Sequence, residues 1–482
     1  MLSDAEWACL KEGRCFGGGR GGNPDLALRP IQGAHPANRS SPRAASGKPL
    51  HENMAEAQAG SGKVTLFSQE KRGGLTYRIP ALLYLPSEST FLAFAEERSS
   101  PRDEDAKFLV MRRGRKEGTS VQWGPQEPLP MATLPECRTM NPCPVHEEKS
   151  GTTFLFFICV LDHVTARRQI ATGRNAAKLC YVSSQDGGRT WSQVVDLTRQ
   201  VFGGDRRNWA TFAVGPGHGV QLGSGRLVVP AYAYRTRKCC FCFCPLCCAA
   251  PHCFALLSDD GGRSWARGRL LEDLRATECQ VAEVDRQDGS RLLYVNARHS
   301  GWSRCRAEAF SPDNGGHFQE PFLCKQLREP AHGCQGSVVS FAPAPKPSDP
   351  GPEEGTGGLA CLLGVDPSSS PLRRSTKSWL VFSHPTNSHK RLDLGIYLNP
   401  SPLEKGCWTA PWVLNKGPSG YSDLAVCEEE GKSVMFGCLF ECGVATACEE
   451  IAFQLFSDVE LLKNLRPRNH RTVELEGTPR VI

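Results

Sequence analysis

One short motif occurs three times in the chain and restricts its fold more than any other feature. Residues Ser184–Trp191 recur almost unchanged as Ser258–Trp265, and a looser copy follows at Ser311–Phe318. Each copy has the residues of a hairpin turn: an aspartate to bind turn amides, a glycine to accept positive φ, and an aromatic residue to bury against the preceding strands. A supersecondary unit repeated in this way is typical of a blade-by-blade β-propeller. The motif therefore predicts architecture and carries no chemistry of its own.

The amino-acid sequence between the repeats is typical of β-strands. Short runs of β-branched and aromatic residues alternate with Gly, Pro, Asn and Asp, as in Leu227–Tyr232 and Arg291–Val295. Many short strands with frequent turn signals indicate an all-β sandwich, barrel or propeller. Long amphipathic helices are scarce outside Ala452–Asn464. Together with the repeat, this pattern predicts an all-β propeller.

Composition separates one folded unit from its flanks. Residues 1–60 are rich in Gly, Arg, Ala, Ser and Pro and show no strand or helix period, so we expect a disordered or low-complexity tail. We predict one propeller over 61–465 and a C-terminal tail over 466–482. A Pro/Gly/Ser-rich stretch at about 342–376 is predicted to be an insertion loop, because a strand-like sequence follows it at Ser378–Phe382.

The net charge and the cysteine pattern indicate which binding partners and which cellular compartment to expect for this protein. The formal net charge is +6 without a dense Lys/Arg block, which argues against nucleic-acid binding. The start of the chain has no readable secretory signal, and its longest apolar run, Phe154–Leu161, is too short to span a membrane. Its 23 cysteines are odd in number and irregularly spaced. We therefore expect a reduced protein that faces the cytosol.

From about Gly73 to about Phe456 the chain resembles the sialidase superfamily of six-bladed propellers. The repeats match the Asp-boxes of that superfamily, and Tyr77–Pro80 matches its motif near the start of the fold. Six further segments are similar to the mammalian cytosolic and plasma-membrane sialidases: Phe94–Arg98, Arg138–Pro142, Phe212–Gly219, Glu278–Glu283, Gly333–Ser337 and Gly420–Leu424. Phe154–Val160 and Met435–Gly443 are most similar to the plasma-membrane ganglioside sialidases. The resemblance implies a retaining exo-α-sialidase that removes terminal sialic acid, with gangliosides as expected substrates.

The resemblance also implies an anion site. Sialic acid carries a carboxylate on its anomeric carbon, and the planar guanidinium of arginine binds carboxylates through two parallel hydrogen bonds. By the resemblance, Arg78, Arg298 and Arg391 form the triad that would hold this carboxylate.

Three residues are expected to perform the reaction by the same resemblance. Tyr421 is the implied nucleophile and Glu278 the base that takes its proton, in keeping with the use of tyrosine by sialidases. Asp103 is the implied acid and base at the leaving oxygen, although Glu104 and Asp105 lie in the same acidic loop.

Further substrate contacts are expected around these residues. Tyr232 and Tyr234 are assigned to the glycerol side of the sugar, and Met140 and Asn141 to the N-acetyl side. Glu96 and Gln335 are assigned to the remaining polar rim, and Arg98 is a further candidate for binding the substrate.

The dense cysteine segment Cys239–Cys248 leaves three readings open. Zinc binding would use a spacing such as that of Cys244 and Cys247, but the crowding fits no clean four-ligand pattern. S-acylation of a membrane-facing loop fits the neighbouring Phe241, Phe243 and Leu246. An unmodified loop with inert thiols is the third reading.

The sequence therefore predicts a sialidase with no cofactor and no metal, attached peripherally to the plasma membrane, with endosomal or cytosolic pools as further possibilities. Its expected partners are gangliosides and sialoglycoproteins. A non-catalytic propeller that binds sialic acid is an alternative, and it could lack the nucleophile, base or acid that this chain has. A trans-sialidase is the second alternative, which only acceptor kinetics would separate.

Overall fold

A computed structural model describes residues 62–71, 73–204, 208–236, 249–286, 288–343, 378–428 and 433–465. The predicted tails at 1–60 and 466–482, most of the 342–376 insertion and the Cys239–Cys248 segment lie outside these residues. The division into tails and one propeller domain stays a prediction. None of the described helices is long and apolar enough to cross a bilayer.

Antiparallel meanders account for almost all of the described structure. The first strand, β1 (Val64–Ser68), pairs with the last one and is followed by the first meander: β2 (Thr76–Leu85), β3 (Thr90–Arg98), β4 (Ala106–Glu117), β5 (Ser120–Trp123) and β6 (Glu127–Pro128). The second meander contains β7 (Cys137–Glu147), β8 (Thr152–Leu161), β9 (Ala177–Ser184) and β10 (Val195–Asp196). The third contains β11 (Trp209–Val214), β12 (Val220–Gln221), β13 (Leu227–Thr236), β14 (Ala249–Ser258) and β15 (Ala266–Arg267).

The remaining strands form two more sheets. The fourth meander contains β16 (Ala276–Asp285), β17 (Arg291–His299), β18 (Cys305–Ser311) and β19 (Gln319–Arg328). A seven-stranded sheet then contains β20 (Ser337–Phe341), β21 (Trp379–Pro385), β22 (Leu392–Asn399), β23 (Trp412–Cys427), β24 (Met435–Cys442), β25 (Glu450–Ser457) and β1. Strand β23 pairs with β22 through its first half and with β24 from Ser419 onward, so two meanders share it. The fifth meander is β20–β22 with the first half of β23, and the sixth is the rest of β23 with β24, β25 and β1. The described residues also form three α-helices, α1 (Ala166–Thr172), α2 (Thr198–Phe202) and α3 (Asp458–Leu465), and two single 3₁₀ turns, Pro86–Glu88 and Asp103–Asp105.

Buried apolar clusters join the meanders into a ring. The strands are apolar on both faces, as expected for sheets that pack against a neighbour on each side. Each pair of successive meanders shares one cluster, represented here by one residue from either side: Phe94 and Phe157, Phe156 and Phe254, Leu257 and Val281, Tyr294 and Phe382, Ile396 and Phe436, and Phe453 and Phe91. The predicted all-β propeller is confirmed. Its count of six blades stays a prediction, because it depends on dividing the seven-stranded sheet at β23.

The three repeats form the turns that their sequence predicts. In the first, the Asp186 carboxylate accepts hydrogen bonds from the amides of Arg189 and Thr190 at 3.0 and 2.9 Å, and Ser184 Oγ accepts one from Gly188 N at 2.9 Å. Asp260 and Asp313 repeat this arrangement with the amides of Ser264 and His317 at 2.9 and 2.8 Å. The third copy has Asn314 with φ 58° where the first two have glycine. Asparagine tolerates that conformation better than most residues, which explains the substitution.

The two faces of the ring carry different loops. The innermost strand of each meander begins on one face, and the second strand returns to that same face. Among the described residues, the connections that leave the second strands therefore surround one opening: residues 99–105, 162–176, 300–304, 386–391 and 443–449. The repeat turns lie on the opposite face. This arrangement brings the N-terminal ends of β2, β7, β11, β16 and the middle of β23 to one mouth.

Candidate active site

A cavity of about 110 Å³ opens at this mouth. Eight of the side chains predicted from the sequence line it: Arg98, Asp103, Met140, Asn141, Tyr232, Tyr234, Glu278 and Arg298. A larger cavity of about 430 Å³ lies beside β15 and contains none of the predicted site residues. The small cavity is therefore the candidate active site.

The predicted nucleophile and base contact each other beside the cavity: Glu278 lines it, whereas the predicted Tyr421, Arg78 and Arg391 do not. The hydroxyl of Tyr421, which is 1% exposed, donates a short hydrogen bond to Glu278 Oε1. Arg298 Nη1 donates to Glu278 Oε2 at 2.8 Å and to the Tyr421 oxygen at 3.2 Å. One guanidinium thus bridges the phenol and the carboxylate, although 143 positions separate Glu278 from Tyr421 in the chain.

Burial and charge decide the protonation of Tyr421. Burial raises its pKa well above 10, and the neighbouring Glu278 carboxylate raises it further, while Arg298 and Arg391 oppose the rise. Tyr421 is therefore a neutral phenol at rest, and Glu278 is the group placed to accept its proton.

The three predicted arginines surround the same tyrosine. The guanidinium carbons of Arg78 and Arg391 lie 5.6 and 5.3 Å from the centroid of the Tyr421 ring, and Arg298 contacts its oxygen. Burial would lower the pKa of Arg298, but Glu278 and Tyr421 raise it, so the guanidinium stays charged. Three guanidinium groups therefore lie around one phenol, and two of them are paired with carboxylates, Arg78 with Glu441 and Arg298 with Glu278.

Glu441 is a member of this site that the sequence reasoning did not identify. Its carboxylate accepts from Arg78 Nε at 2.6 Å and also from the backbone amides of Ile79 and Tyr421 at 2.9 and 3.0 Å. Burial would raise its pKa, but Arg78 lowers it below the ordinary value of 4.5, so it is ionised. One carboxylate therefore holds an arginine of the predicted triad and the backbone of the predicted nucleophile. The only signal was an acid inside the Met435–Gly443 segment.

Asp103 is the acidic residue of its loop that reaches the cavity. It lies in a single 3₁₀ turn over Asp103–Asp105, and its Oδ1 accepts from Arg98 Nη1 at 2.8 Å. Asp105 is instead bound by Ser100 and by Arg102 at 2.9 Å, and exposed Glu104 lies 3.7 Å from Arg102. Asp103 is also partly open to solvent, with 21% of its side chain exposed.

Glu96 and Gln335 lie behind the cavity and do not line it. Glu96 is fully buried, binds Arg98 through Oε2 at 2.5 Å, and accepts from Asn141 N at 2.6 Å. Gln335 donates to the carbonyls of Ser422 and Pro216 at 3.0 and 3.2 Å. Both side chains hold other parts of the site, because their polar atoms are directed at the protein.

The two predicted tyrosines form one wall. Tyr232 and Tyr234 follow the alternation of β13 to the same side, and their rings meet edge to face at 6.4 Å. Burial raises the pKa of Tyr234 to about 12 and that of Tyr232 well above 10. Both hydroxyls are therefore neutral.

Arg138 and residues of α1 complete the lining and were not predicted as contacts. Arg138 is 3% exposed and donates to the carbonyls of Leu161 and Val164 at 3.0 and 2.8 Å. Thr165 begins α1 by accepting from Arg168 N at 3.0 Å, which brings Gln169 and Ile170 to the cavity. The described residues hold no group of three or more His, Cys, Asp or Glu side chains that could bind a metal ion.

The sequence matches one protein family model and several known proteins, and the fold matches solved structures. Residues 89–435 match the BNR repeat-like domain family. Sialidase-3 of Homo sapiens is 54% identical over 419 residues, which cover 86% of this chain and 96% of the relative. Sialidase-4 of Homo sapiens is 43% identical over 476 residues, covering 86% and 97%. The solved structure of the Hadza microbial sialidase Hz136 superimposes with a TM-score of 0.62 at 21% identity, covering 83% of this chain and 69% of its own.

Proposed function

The chain belongs to the sialidase family and is an exo-α-sialidase of glycoconjugates, and we propose that it acts through a covalent intermediate on Tyr421 with gangliosides as its substrates. The single observation that carries the proposed chemistry is the buried contact of Tyr421 with both Glu278 and Arg298.

The charge of the substrate favours a neutral nucleophile. The anomeric carbon of a sialoside bears a carboxylate, and two anions 4 Å apart repel by about 4 kcal/mol at an effective dielectric of about 20. A phenol approaches without this penalty, and tyrosine is the known sialidase exception to the use of two carboxylates. Arg78, Arg298 and Arg391 would hold the substrate carboxylate while Tyr421 attacks.

The protons balance within the residues at the mouth. In the first step, the Tyr421 oxygen bonds to the anomeric carbon, its proton passes to Glu278, and Asp103 protonates the departing glycosidic oxygen. In the second step, Asp103 takes a proton from water, the water oxygen bonds to the anomeric carbon, and Tyr421 leaves and regains its proton from Glu278. Two inversions give net retention.

Trapping tests the intermediate. A 3-fluorosialyl fluoride should label the protein, because the fluorine slows both steps while the good leaving group preserves the first. Peptide mass spectrometry should locate the adduct on Tyr421, and Tyr421→Phe should abolish labelling. Tyr397→Phe is the matched control, since Tyr397 is also a buried tyrosine but lies in the cluster between the fourth and fifth meanders. An adduct on Glu278, or an inverted first product by NMR, would refute the assigned roles.

Ganglioside preference and membrane association form the second part of the proposal. The modest positive charge suits an anionic leaflet, and S-acylation within Cys239–Cys248 would supply the several lipid chains that stable anchoring needs. Purified protein should release sialic acid faster from ganglioside vesicles than from sialyl-lactose. Replacing Cys239, Cys240, Cys242, Cys244, Cys247 and Cys248 by Ser should shift the protein from the membrane pellet to the supernatant without loss of activity on a soluble sialoside. Unchanged fractionation, with no acyl-exchange signal in the unmodified chain, would reject acylation.

A further inference from the structure

Residues 329–335, called here the arginine-support loop, lie directly against two arginines of the anion site. The backbone carbonyl of His332 accepts a short hydrogen bond from Arg298 Nη2. The next carbonyl, that of Gly333, accepts from Arg391 Nε at 3.2 Å and from Arg391 Nη2 at 3.0 Å. Two consecutive carbonyls of one loop therefore orient two guanidinium groups, one from β17 and one from the connection that precedes β22.

The loop approaches Arg298 too closely for any residue except glycine at 333. Gly333 has φ 68°, and a Cβ added there would lie 2.6 Å from Arg298 Nε. Position 333 thus lacks a side chain for two reasons, the backbone conformation and the neighbouring guanidinium. A small displacement of the loop would be transmitted to Arg298.

A buried ion pair outside the cavity holds this loop at both ends. Glu329 and Arg306 are 2% and 0% exposed, and their side chains meet at 3.1 Å. Glu329 Oε2 accepts from Cys334 N at 2.9 Å, while Arg306 Nη1 donates to Cys334 O at 2.7 Å. Asn296 Oδ1 in turn accepts from Arg306 Nε at 2.7 Å. The pair therefore clamps both polar groups of the Cys334 backbone, next to Gly333.

The clamp is charged under all ordinary conditions. Burial would raise the pKa of Glu329, but Arg306 and then His384 lower it to about 2. An ion pair this deeply buried adds little net stability over an apolar replacement of similar volume. An apolar pair could not make the hydrogen bonds by which Glu329 and Arg306 hold the Cys334 backbone.

We propose that Arg306 and Glu329 are positioning residues for the substrate carboxylate: they fix the arginine-support loop, and the loop carbonyls aim Arg298 and Arg391. The proposal rests on the proposed role of these two arginines. Neither Arg306 nor Glu329 lines the cavity, and both reach the arginines through the loop. The charge of Glu329 is also one of those that raise the pKa of Arg298 directly.

The test separates carboxylate recognition from general damage to the fold. Inhibition constants are measured for an unsaturated sialic acid analogue and for its methyl ester, whose carboxyl group has no charge. In Glu329→Gln, affinity for the acid should fall by about tenfold or more, the effect of losing one hydrogen bond to a charged group. Affinity for the ester should be nearly unchanged, and KM should rise more than kcat falls.

Two further variants keep the proposal falsifiable. Replacing Arg306 and Glu329 together by Met removes both buried charges, so this variant should fold even if Glu329→Gln does not, and it should show the same selective loss. Leu398→Ala is the control for general damage to the fold. It creates a cavity in the core between the fifth and sixth meanders and destabilises the fold, but it does not touch the loop. This variant should keep the preference for the acid.

Each outcome decides a different question. Unchanged acid affinity in a folded variant, or parallel loss of acid and ester affinity, would overturn the positioning role. If the unmodified protein itself shows no preference for the acid over the ester, the anion site fails, and with it the proposed function.

Discussion

Replacing Glu441 by glutamine tests whether one buried carboxylate holds the site together. Its two oxygens are shared among the Arg78 guanidinium and the backbone amides of Ile79 and Tyr421. Glutamine offers only one acceptor oxygen, and its NH₂ group would face further N–H donors. It also leaves the buried Arg78 without a counter-charge. Breaking such a pair from one side costs about 3–5 kcal/mol of unfolding free energy.

The pH dependence gives the prediction a sign. The folded pKa of Glu441 lies below its ordinary value of 4.5, so its contribution to stability is fully present above about pH 4.5 and is lost as the pH falls through the lower folded value. Urea denaturation should show a large deficit for Glu441→Gln at pH 7 and a smaller one at pH 3. Turnover should fall by at least tenfold, because the Tyr421 backbone and Arg78 lose their common anchor.

Glu450→Gln is the matched control. Glu450 lies on the neighbouring strand, is 21% exposed, and pairs with half-exposed Lys63 at 2.6 Å, so its loss should cost no more than about 1 kcal/mol. A Glu441→Gln variant as stable as the unmodified protein, or a deficit that does not change between pH 7 and pH 3, would refute the reasoning.

Three further predictions concern the anion site, the acid and the repeat turns. Arg391→Ala and Arg391→Lys should both lower kcat/KM for sialosides by about 10- to 150-fold, because each removes a charge-assisted contact of about 1.5–3 kcal/mol, and circular dichroism should show an intact fold; wild-type kinetics would exclude Arg391 from the triad. Asp103→Ala should retain more activity on aryl sialosides, whose leaving groups need little protonation, than on gangliosides, and equal losses on both would argue against its acid role. Asp186→Ala should lower unfolding free energy by about 1–2 kcal/mol with unchanged kcat, since the turn lies on the opposite face; because its pKa is about 2 against an ordinary 3.8, the deficit should fade as the pH falls from 3.8 to 2, and a pH-independent deficit would contradict this.

The parts of the fold that could be predicted from sequence are those encoded locally. The repeat turns need only contacts between residues two to four positions apart, such as Ser184 with Gly188, so the motif is sufficient to predict them. The catalytic set was predictable only through the resemblance, because composition and spacing say nothing about which strand ends meet. Arg78, for example, meets Glu441 across 363 positions.

The missed charged residues behind the cavity share one property: their side chains bind protein groups and do not line the cavity. Glu441, Arg306 and Glu329 are ordinary charged residues in sequence, and only the closed ring shows that each is buried beside an opposite charge. Glu96 and Gln335 were assigned to the polar rim of the substrate site, and their contacts with protein groups could not be foreseen for the same reason. Whether a polar side chain faces substrate or backbone depends on the packing of neighbouring meanders, which a single strand cannot encode.

The pairing of β1 with β25 sets the moment at which the ring can close during synthesis. Ser68 faces Glu450, which follows it by 382 positions. At roughly 5–20 residues per second, a ribosome needs about 20–80 seconds to make the intervening chain. During that interval, the first strand has no partner to pair with, and the open edges of the growing sheets are exposed to wrong pairings. We expect newly made chains to depend on chaperones until the last strand emerges, and a permuted gene that starts at β2 and places β1 directly after β25 to shorten that dependence.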